Sequence, residues 1–283
     1  MQVLITGGAG FFGRYMAEYL IGKADTERVC IYSRGEYAQA QMREQVNDER
    51  MRYFIGDVRD KERLRRAMEG VDVVIHAAAL KRIEVGHYAP DEMVKTNIIG
   101  AMNVIDAAAD AKVGKVVALS SDKAYQPVSP YGQSKALAES LFINANNVYG
   151  QRGPKYAAVR YGNVWMSRGS IVPKWQDMIS RGATCVPVTD PSATRFFMWH
   201  WEAVNLVQHT IDTMNGGEIA IPDWLPAYSV GDLAEAMGVE MNIIGLPEYE
   251  KAHECMSDGL CSNSARRMTV DELREALKCD QTI

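Results

Sequence analysis

Short apolar runs alternate with longer amphipathic stretches through the first half of the chain: VLIT at 3–6, RVCIYS at 28–33, MRYFIG at 51–56, VDVVIHAA at 71–78, KVVALS at 115–120 and YAAVRYG at 156–162. Each run is continuously apolar instead of alternating, the pattern of a strand buried on both faces. Between them the periodicity predicts helices near 11–22, 36–47, 60–69, 91–111 and 131–147. Repetition of strand and helix in this order predicts an α/β fold with a doubly wound parallel sheet over residues 1–163. Beyond that point the pattern breaks into shorter pieces punctuated by Pro173, Pro187, Pro191, Pro222, Pro226 and Pro247. Residues 164–283 are therefore expected to form a smaller C-terminal substrate-binding lobe, with the chain able to cross back to the sheet. FFMWHW at 196–201 reads as a core strand leading into a helix.

The composition is that of a globular chain long enough to bury a substantial core: 283 residues, 47% hydrophobic and 24% charged. A net charge of −5 without a long run of either sign gives no footprint for nucleic acid as a partner. No stretch approaches the length of a membrane span, and Met1 leads straight into QVLIT without a basic leader. Five scattered cysteines without a CxxC pair point to reduced thiols and a cytoplasmic setting. His253, Glu254 and Cys255 are adjacent, but no second cluster with zinc-like spacing supports them as metal ligands, and no metal is expected.

TGGAGFFG, from Thr6 to Gly13, follows the first strand and opens a helix. Gly8, Gly10 and Gly13 fit the dinucleotide fingerprint of a Rossmann sheet and Gly7 brackets the turn; small residues let backbone approach a pyrophosphate at the helix N-terminus. The second strand ends at Tyr32-Ser33-Arg34, where an NAD site would place an acidic residue for the ribose 2′-hydroxyl. Arg34 can instead pair a 2′-phosphate, which favours NADP; Glu36 as a ribose ligand is the competing reading. Asp57 and Val58, after the third strand, stand where adenine can be read.

Ser120-Ser121-Asp122-Lys123 closes the fifth strand, and Tyr131 and Lys135 lie one turn apart at the start of the next helix. An ammonium there can lower the phenol's pKa, so that a tyrosinate takes the proton of an alcohol as hydride leaves its carbon. Ser121 would hold the substrate hydroxyl. Asp122 and Lys123 add an acid and a base suited to elimination, provided that Lys123 is partly desolvated and Asp122 is kept protonated.

With these residues assembled, the sequence resembles the extended short-chain dehydrogenase/reductase family, and within it the inverting UDP-N-acetylglucosamine 4,6-dehydratases of pseudaminic acid and capsular polysaccharide synthesis. The likeness runs through TGGAGFFG, YSRGE, GDVRD, AAALKRIEVGHYAPDEMVKTNIIGAMNVI, LSSDKAYQPVSPYGQSK, LFINANN, RYGNVWMSRGSIVPKW and TDPSATRFFM, most of residues 1–210. The nine-residue step from Asp122 to Tyr131 sets this subgroup apart from sugar epimerases and glucose-type dehydratases, which have a longer insert before the tyrosine.

The resemblance implies C4 oxidation, elimination of water across C5 and C6, and return of hydride to C6, on an NADP that is tightly held and recycled within the turnover. Catalytic roles fall on Asp122, Lys123, Tyr131 and Lys135. Cofactor contacts fall on Gly7, Ala9, Gly10, Phe11, Phe12 and Gly13, on Ser33, Arg34 and Glu36, on Asp57 and Val58, on Ala77, Lys81 and Thr96, on Leu119 and Ser120, and again on Tyr131 and Lys135. Substrate contacts fall on Lys81, Ser121, Asn163, Arg168, Thr189 and Arg195. The family also tends to form homo-oligomers, and an apolar helix such as 91–109 could pair with a second subunit.

The sequence departs from its relatives at 245–254, where a GxRPGEKxHE-like stretch becomes Gly245-Leu-Pro-Glu-Tyr-Glu-Lys-Ala-His-Glu254: Pro247 and Tyr249 replace an Arg and a Gly, while Glu250, Lys251, His253 and Glu254 persist. That change bears on the substrate more than on the chemistry. Rival readings are a nucleotide-sugar 4-epimerase, a 5,6-dehydratase that stops at an exocyclic alkene, and a non-catalytic NADP-binding sensor.

Overall fold

The computed structural model describes residues 1–279. Its centre is a parallel sheet built from β1 (Gln2–Thr6), β2 (Arg28–Ser33), β3 (Met51–Ile55), β4 (Val73–His76), β5 (Lys115–Leu119), β6 (Lys155–Val159) and β9 (Ile219–Ala220). The strand order is β3-β2-β1-β4-β5-β6-β9, a doubly wound Rossmann arrangement with a seventh strand added. Both faces are apolar, as the unbroken hydrophobic runs predict. One face packs Leu4, Val74, Val116 and Tyr156 beneath α3 (Lys61–Ala67), α6 (Gly100–Asp110) and α7 (Pro130–Tyr149). The other packs Val3, Ile5, Ile31, Val117 and Val159 beneath α1 (Phe11–Ile21) and α9 (His200–Thr213).

The turn from β1 into α1 is closed by backbone bonds from Gly7 N to the Tyr32 carbonyl and from Gly10 N to the Gly7 carbonyl, each 2.8 Å. A Cβ on Gly13 would stand 2.4 Å from the Gly8 carbonyl oxygen, so helix and turn meet at a distance only glycine permits. The first turn of α1 has no side-chain cap and no acidic residue, which leaves its amides open to an anion.

Where one helix is predicted over 91–111, the chain forms a short turn at Pro90–Met93, a π-helical segment at Val94–Ile99 and then α6. The wider turn carries Asn97, whose amide donates to the Leu80 carbonyl at 2.9 Å and whose Oδ1 accepts from Leu80 N at 2.8 Å. Past the end of β4, Ala77 N still donates to the Thr6 carbonyl at 3.1 Å, and Asn97 then holds the chain at Leu80.

The later residues make smaller sheets. β8 (Thr194–Phe196) pairs antiparallel with β10 (Ala227–Ser229), and β7 (Cys185–Val188) runs parallel to β11 (Glu240–Ile243). A separate core of Trp165, Trp175, Phe197, Tyr228 and Leu233 lies among them and α8 (Ile171–Ser180), α10 (Val230–Met237) and α11 (Val270–Cys279). α9 and β9 belong to this half of the sequence yet lie on the main sheet, β9 pairing with β6.

β12 (Cys255–Ser257) and β13 (Leu260–Cys261) form a hairpin closed by a Cys255–Cys261 disulfide. The expectation of reduced thiols throughout is corrected here: the hairpin brings these two together although their spacing carries no motif. No helix among the described residues is long and apolar enough to cross a membrane.

Candidate active site

The carboxyl ends of β5 and β6, the start of α7 and the segment before β12 converge on one buried group of charges. β5 hands the chain to Ser120 and Ser121, and a single 3-10 turn at Asp122–Ala124 follows. Ser129 caps α7 by accepting from Gly132 N at 3.1 Å, and Pro130 at the first helical position fixes its entry. A Cβ on Gly132 would lie 2.4 Å from the Lys123 carbonyl oxygen, so the helix start is pressed directly onto the Asp122–Ala124 turn. That close approach sets Tyr131 over Ser121 and Lys123, with the Ser121 hydroxyl bonding its phenol.

Asp122 is 1% exposed. Its Oδ1 accepts from Ser121 Oγ at 2.8 Å and from Lys123 Nζ at 3.1 Å, while Oδ2 is buried without a partner among the described residues. Burial drives its pKa up against the pull of Lys123, and the Glu254 carboxylate pushes the same way. The direction is the one that the sequence expectation of an acid for elimination asks for.

Lys123 departs from the sequence expectation. Burial alone would lower its pKa, but Asp122 and Glu254 outweigh it, and the ammonium is held above its ordinary range. Nζ lies 3.1 Å from Asp122 Oδ1, 3.3 Å from Glu254 Oε1 and 3.4 Å from Asn163 Oδ1. Sequence spacing could not supply Glu254, which reaches the site from the far end of the chain.

The expected lowering of the Tyr131 pKa is corrected: the phenol is buried, and desolvation holds its pKa above the ordinary value although Lys123 and Ser121 pull it down. The cation acting on the phenol is Lys123, where helical spacing had pointed to Lys135. Lys135 turns instead to the Leu119 carbonyl, at 2.5 Å, and burial brings its pKa down to about 8 against the pull of Glu139. Beneath it lies a network the sequence reading missed: Ser120 Oγ donates to Glu139, which takes Arg160 Nε at 3.1 Å and Nη2 at 2.6 Å.

The other expected positions divide between open and occupied groups. Lys81, Arg82 and Arg168 form a cationic rim, with Arg82 beside Gly169, and desolvation and the neighbouring Arg168, Arg82 and Lys123 hold Lys81 below its ordinary pKa. Asn163 accepts from Lys123 and bonds Tyr228. Thr189 is half-buried just after β7. Arg195 differs from its expected place on the substrate: it is buried, donating to the Thr194 and Ala252 carbonyls at 2.8 and 3.0 Å and pairing Glu250 at 2.5 Å. Its guanidinium anchors the 250–254 segment instead.

On the cofactor side, Ala9 is buried in the first turn, Phe11 packs edge-on against Tyr15, and Phe12 stacks with Tyr161. Ser33 Oγ accepts from Gln39, and Glu36 opens α2 (Glu36–Gln45) exposed. Arg34 is exposed and stands 3.9 Å from Asp57, whose carboxylate is held chiefly by Arg59 at 2.7 Å. The Val58 side chain belongs to the core under Gly100, so only its backbone faces the groove. Ala77 starts the loop held by Asn97, and Thr96 Oγ1 is buried without a partner among the described residues.

The three residues of the metal alternative are engaged elsewhere. Cys255 is in the disulfide, His253 Nδ1 meets Thr194 Oγ1 at 2.9 Å, and Glu254 is paired with lysines. No group of three or more potential ligands occurs among the described residues.

Residues 3–271 match the model of a family described as polysaccharide biosynthesis protein. The chain is 46% identical over 257 residues to a Campylobacter jejuni UDP-N-acetylglucosamine 4,6-dehydratase (inverting), covering 90% of this chain and 77% of that protein. It is 36% identical over 284 residues to a Rickettsia conorii UDP-glucose 4-epimerase, covering 96% and 81%. Among solved structures it superimposes on Pen from Bacillus thuringiensis with a TM-score of 0.91 at 33% identity, over 98% of each chain.

Proposed function

The chain belongs to the polysaccharide biosynthesis protein family, and from that premise we propose that it is a UDP-N-acetylglucosamine 4,6-dehydratase of the C5-inverting type. The observation that carries this reading is the buried Asp122–Lys123 pair directly under Tyr131. An epimerase needs the tyrosine alone; an acid and a base beside it serve the loss of water.

The residues present suit a dinucleotide cofactor. The β1–α1 turn approaches so closely that a Cβ on Gly13 would fill it, and Thr96 Oγ1 is a buried polar atom lacking a partner among the described residues. Gly7 to Gly13, Ser33, Asp57, Val58, Ala77, Thr96, Leu119, Ser120 and Lys135 would hold it, with Arg34 choosing NADP over NAD. Once bound, the nicotinamide supplies a reversible hydride acceptor that is restored in each turnover.

As tyrosinate, Tyr131 accepts the C4 hydroxyl proton, with Ser121 bonding the same oxygen. The resulting ketone makes the C5 hydrogen acidic. A proton passed from the Lys123 ammonium to Asp122 across 3.1 Å leaves a neutral amine and a protonated acid; the amine takes the C5 proton, the C5 electron pair forms the bond to C6, and the C6 hydroxyl leaves as water with the proton of Asp122. Return of a proton to C5 on the opposite face, as hydride reaches C6, completes the inversion. Lys81 and Arg168 meet the diphosphate, and Asn163 and Thr189 line the sugar side.

In the same reading, residues 1–163 are the cofactor domain and 164–283 the nucleotide-sugar lobe. The setting is cytoplasmic, where nucleotide sugar and nicotinamide cofactor meet. A second copy covers the exposed Ile99, Met102 and Leu137.

Incubation with UDP-N-acetylglucosamine in heavy water tests the proposal. A 4-keto product with a C6 methyl group and deuterium at an inverted C5 supports it. A 5,6-alkene or a C4 epimer assigns the chain to one of the neighbouring reactions. Cofactor binding without turnover of this or other UDP- and dTDP-sugars overturns the enzymatic reading.

A further inference from the structure

Glu254 is the one carboxylate of the charge cluster with no place in the mechanism above. It is 2% exposed, and its position is over-determined. Its backbone N donates to Ser262 Oγ at 2.9 Å, and its carbonyl accepts from Ser262 N at 2.8 Å. The disulfide at Cys255 begins at the next residue. Arg195 pins Ala252 and Glu250, and Lys251 reaches from the Tyr125 carbonyl, at 2.9 Å, to Glu254 Oε2, at 2.8 Å. Burying an anion so firmly costs more than a surface carboxylate could return, unless its partner needs it. Its two cationic partners are Lys251 and Lys123, and of these Lys123 stands beside Asp122 and Tyr131.

We infer that Glu254 is a positioning residue for C5 proton transfer: its carboxylate, 3.3 Å from Lys123 Nζ, aims that nitrogen and completes an Asp122–Lys123–Glu254 chain of charges. The inference rests on the dehydratase reading. When neutral Lys123 takes the C5 proton, an ammonium forms between two carboxyl groups. Glu254 stabilises that ammonium as it forms and raises the proton affinity of the base. The same charge opposes ionisation of Asp122 and so keeps the acid protonated. The other groups facing Lys123 are Tyr131 from α7, Asn163 after β6, Arg195 from β8, Tyr228 from β10 and Lys81 after β4. Arg195 and Lys81 oppose the anion's effect; neither replaces it.

This arrangement has a signature that a merely structural role lacks. Because one negative charge raises the proton affinity of both base and acid, its removal moves both sides of the pH–rate profile in one direction. Glu254→Gln is expected to shift the acidic and alkaline limbs of C5 deuterium incorporation downward together, each by about one pH unit. The plateau should fall several-fold, with cofactor reduction in a single turnover retained. A variant that loses rate with both limbs in place overturns the inference, as does one that matches wild type throughout. Should Glu254→Gln fail to fold, Glu254→Asp carries the test. It keeps the charge one methylene further away, so limbs near those of wild type with a reduced exchange rate are expected, and an unchanged rate overturns the inference. Wild-type protein inactive on every nucleotide sugar would instead remove the dehydratase reading and this inference with it, an outcome visible before any variant is made.

Discussion

The Glu139 carboxylate receives Nε and Nη2 of the Arg160 guanidinium, at 3.1 and 2.6 Å, in a largely buried layer beneath Lys135. Arg160 also donates to the Met256 carbonyl at 2.5 Å, tying the end of β6 to the C-terminal hairpin. Removing one partner strands the other charge, so Glu139→Ala should destabilise the fold by about 3–5 kcal/mol. Urea denaturation measures this directly, and a loss below about 1 kcal/mol would show that Arg160 finds another partner.

Tyr131 and Lys123 act at different steps and can be separated. Tyr131→Phe should lower cofactor reduction by at least about 10²-fold, since the alcohol proton has no acceptor. Lys123→Met should leave that first reduction measurable and abolish deuterium entry at C5. Rapid mixing with absorbance, followed by mass spectrometry of the sugar, reads both. Deuterium entry at the wild-type rate in Lys123→Met would assign the base elsewhere.

Arg34 is exposed and 3.9 Å from Asp57, free to swing toward a 2′-phosphate. Arg34→Ala should weaken NADP by about tenfold or more and leave NAD almost unchanged. Calorimetric titration with each dinucleotide decides the matter. Equal losses would mean that the 2′-position is read by another residue, with Glu36 the nearest candidate in sequence.

His76 introduces a pH dependence of stability that is independent of catalysis. It is buried against Thr6 Oγ1 at 2.8 Å, and burial, with Lys135 nearby, pushes its pKa from 6.5 down to about 3. Between those values the unfolded chain binds a proton that the folded one refuses. Stability therefore rises with pH through this window and is lost as pH falls. From pH 7 to 5 the contribution amounts to about 2 kcal/mol, and His76→Gln should remove it. Equal pH slopes for the two proteins in urea melts would contradict the assignment.

The sheet and four catalytic candidates were legible because each is written locally. A strand buried on both faces must be continuously apolar, and the Asp122–Lys123 and Tyr131–Lys135 pairs sit at fixed offsets from one strand end and one helix start. What escaped was tertiary. Lys123 reads in isolation as a lysine depressed by burial, and the Asp122 and Glu254 carboxylates together reverse the sign. Arg195 carries no mark in sequence to tell a substrate contact from an anchor; its burial against Glu250 does so. The π-helical turn at Val94–Ile99 hides within a good helical periodicity, because one wider turn barely alters the pattern. Cys255 and Cys261 pair because a two-stranded hairpin folds them together.

The docking of Glu254 onto Lys123 also gives the protein a built-in order of assembly. Domains fold from the N-terminal side as synthesis proceeds. The glycine turn, the strand ends and the Tyr131 helix are thus all translated long before the hairpin that carries the carboxylate. An interrupted translation product that retains the sheet would have its dinucleotide cradle and phenol, but a lysine missing its second counter-charge. On the proposed reading, such a fragment could hold cofactor yet lack the carboxylate that aims its base, so the last hairpin to be made is a condition for full rate.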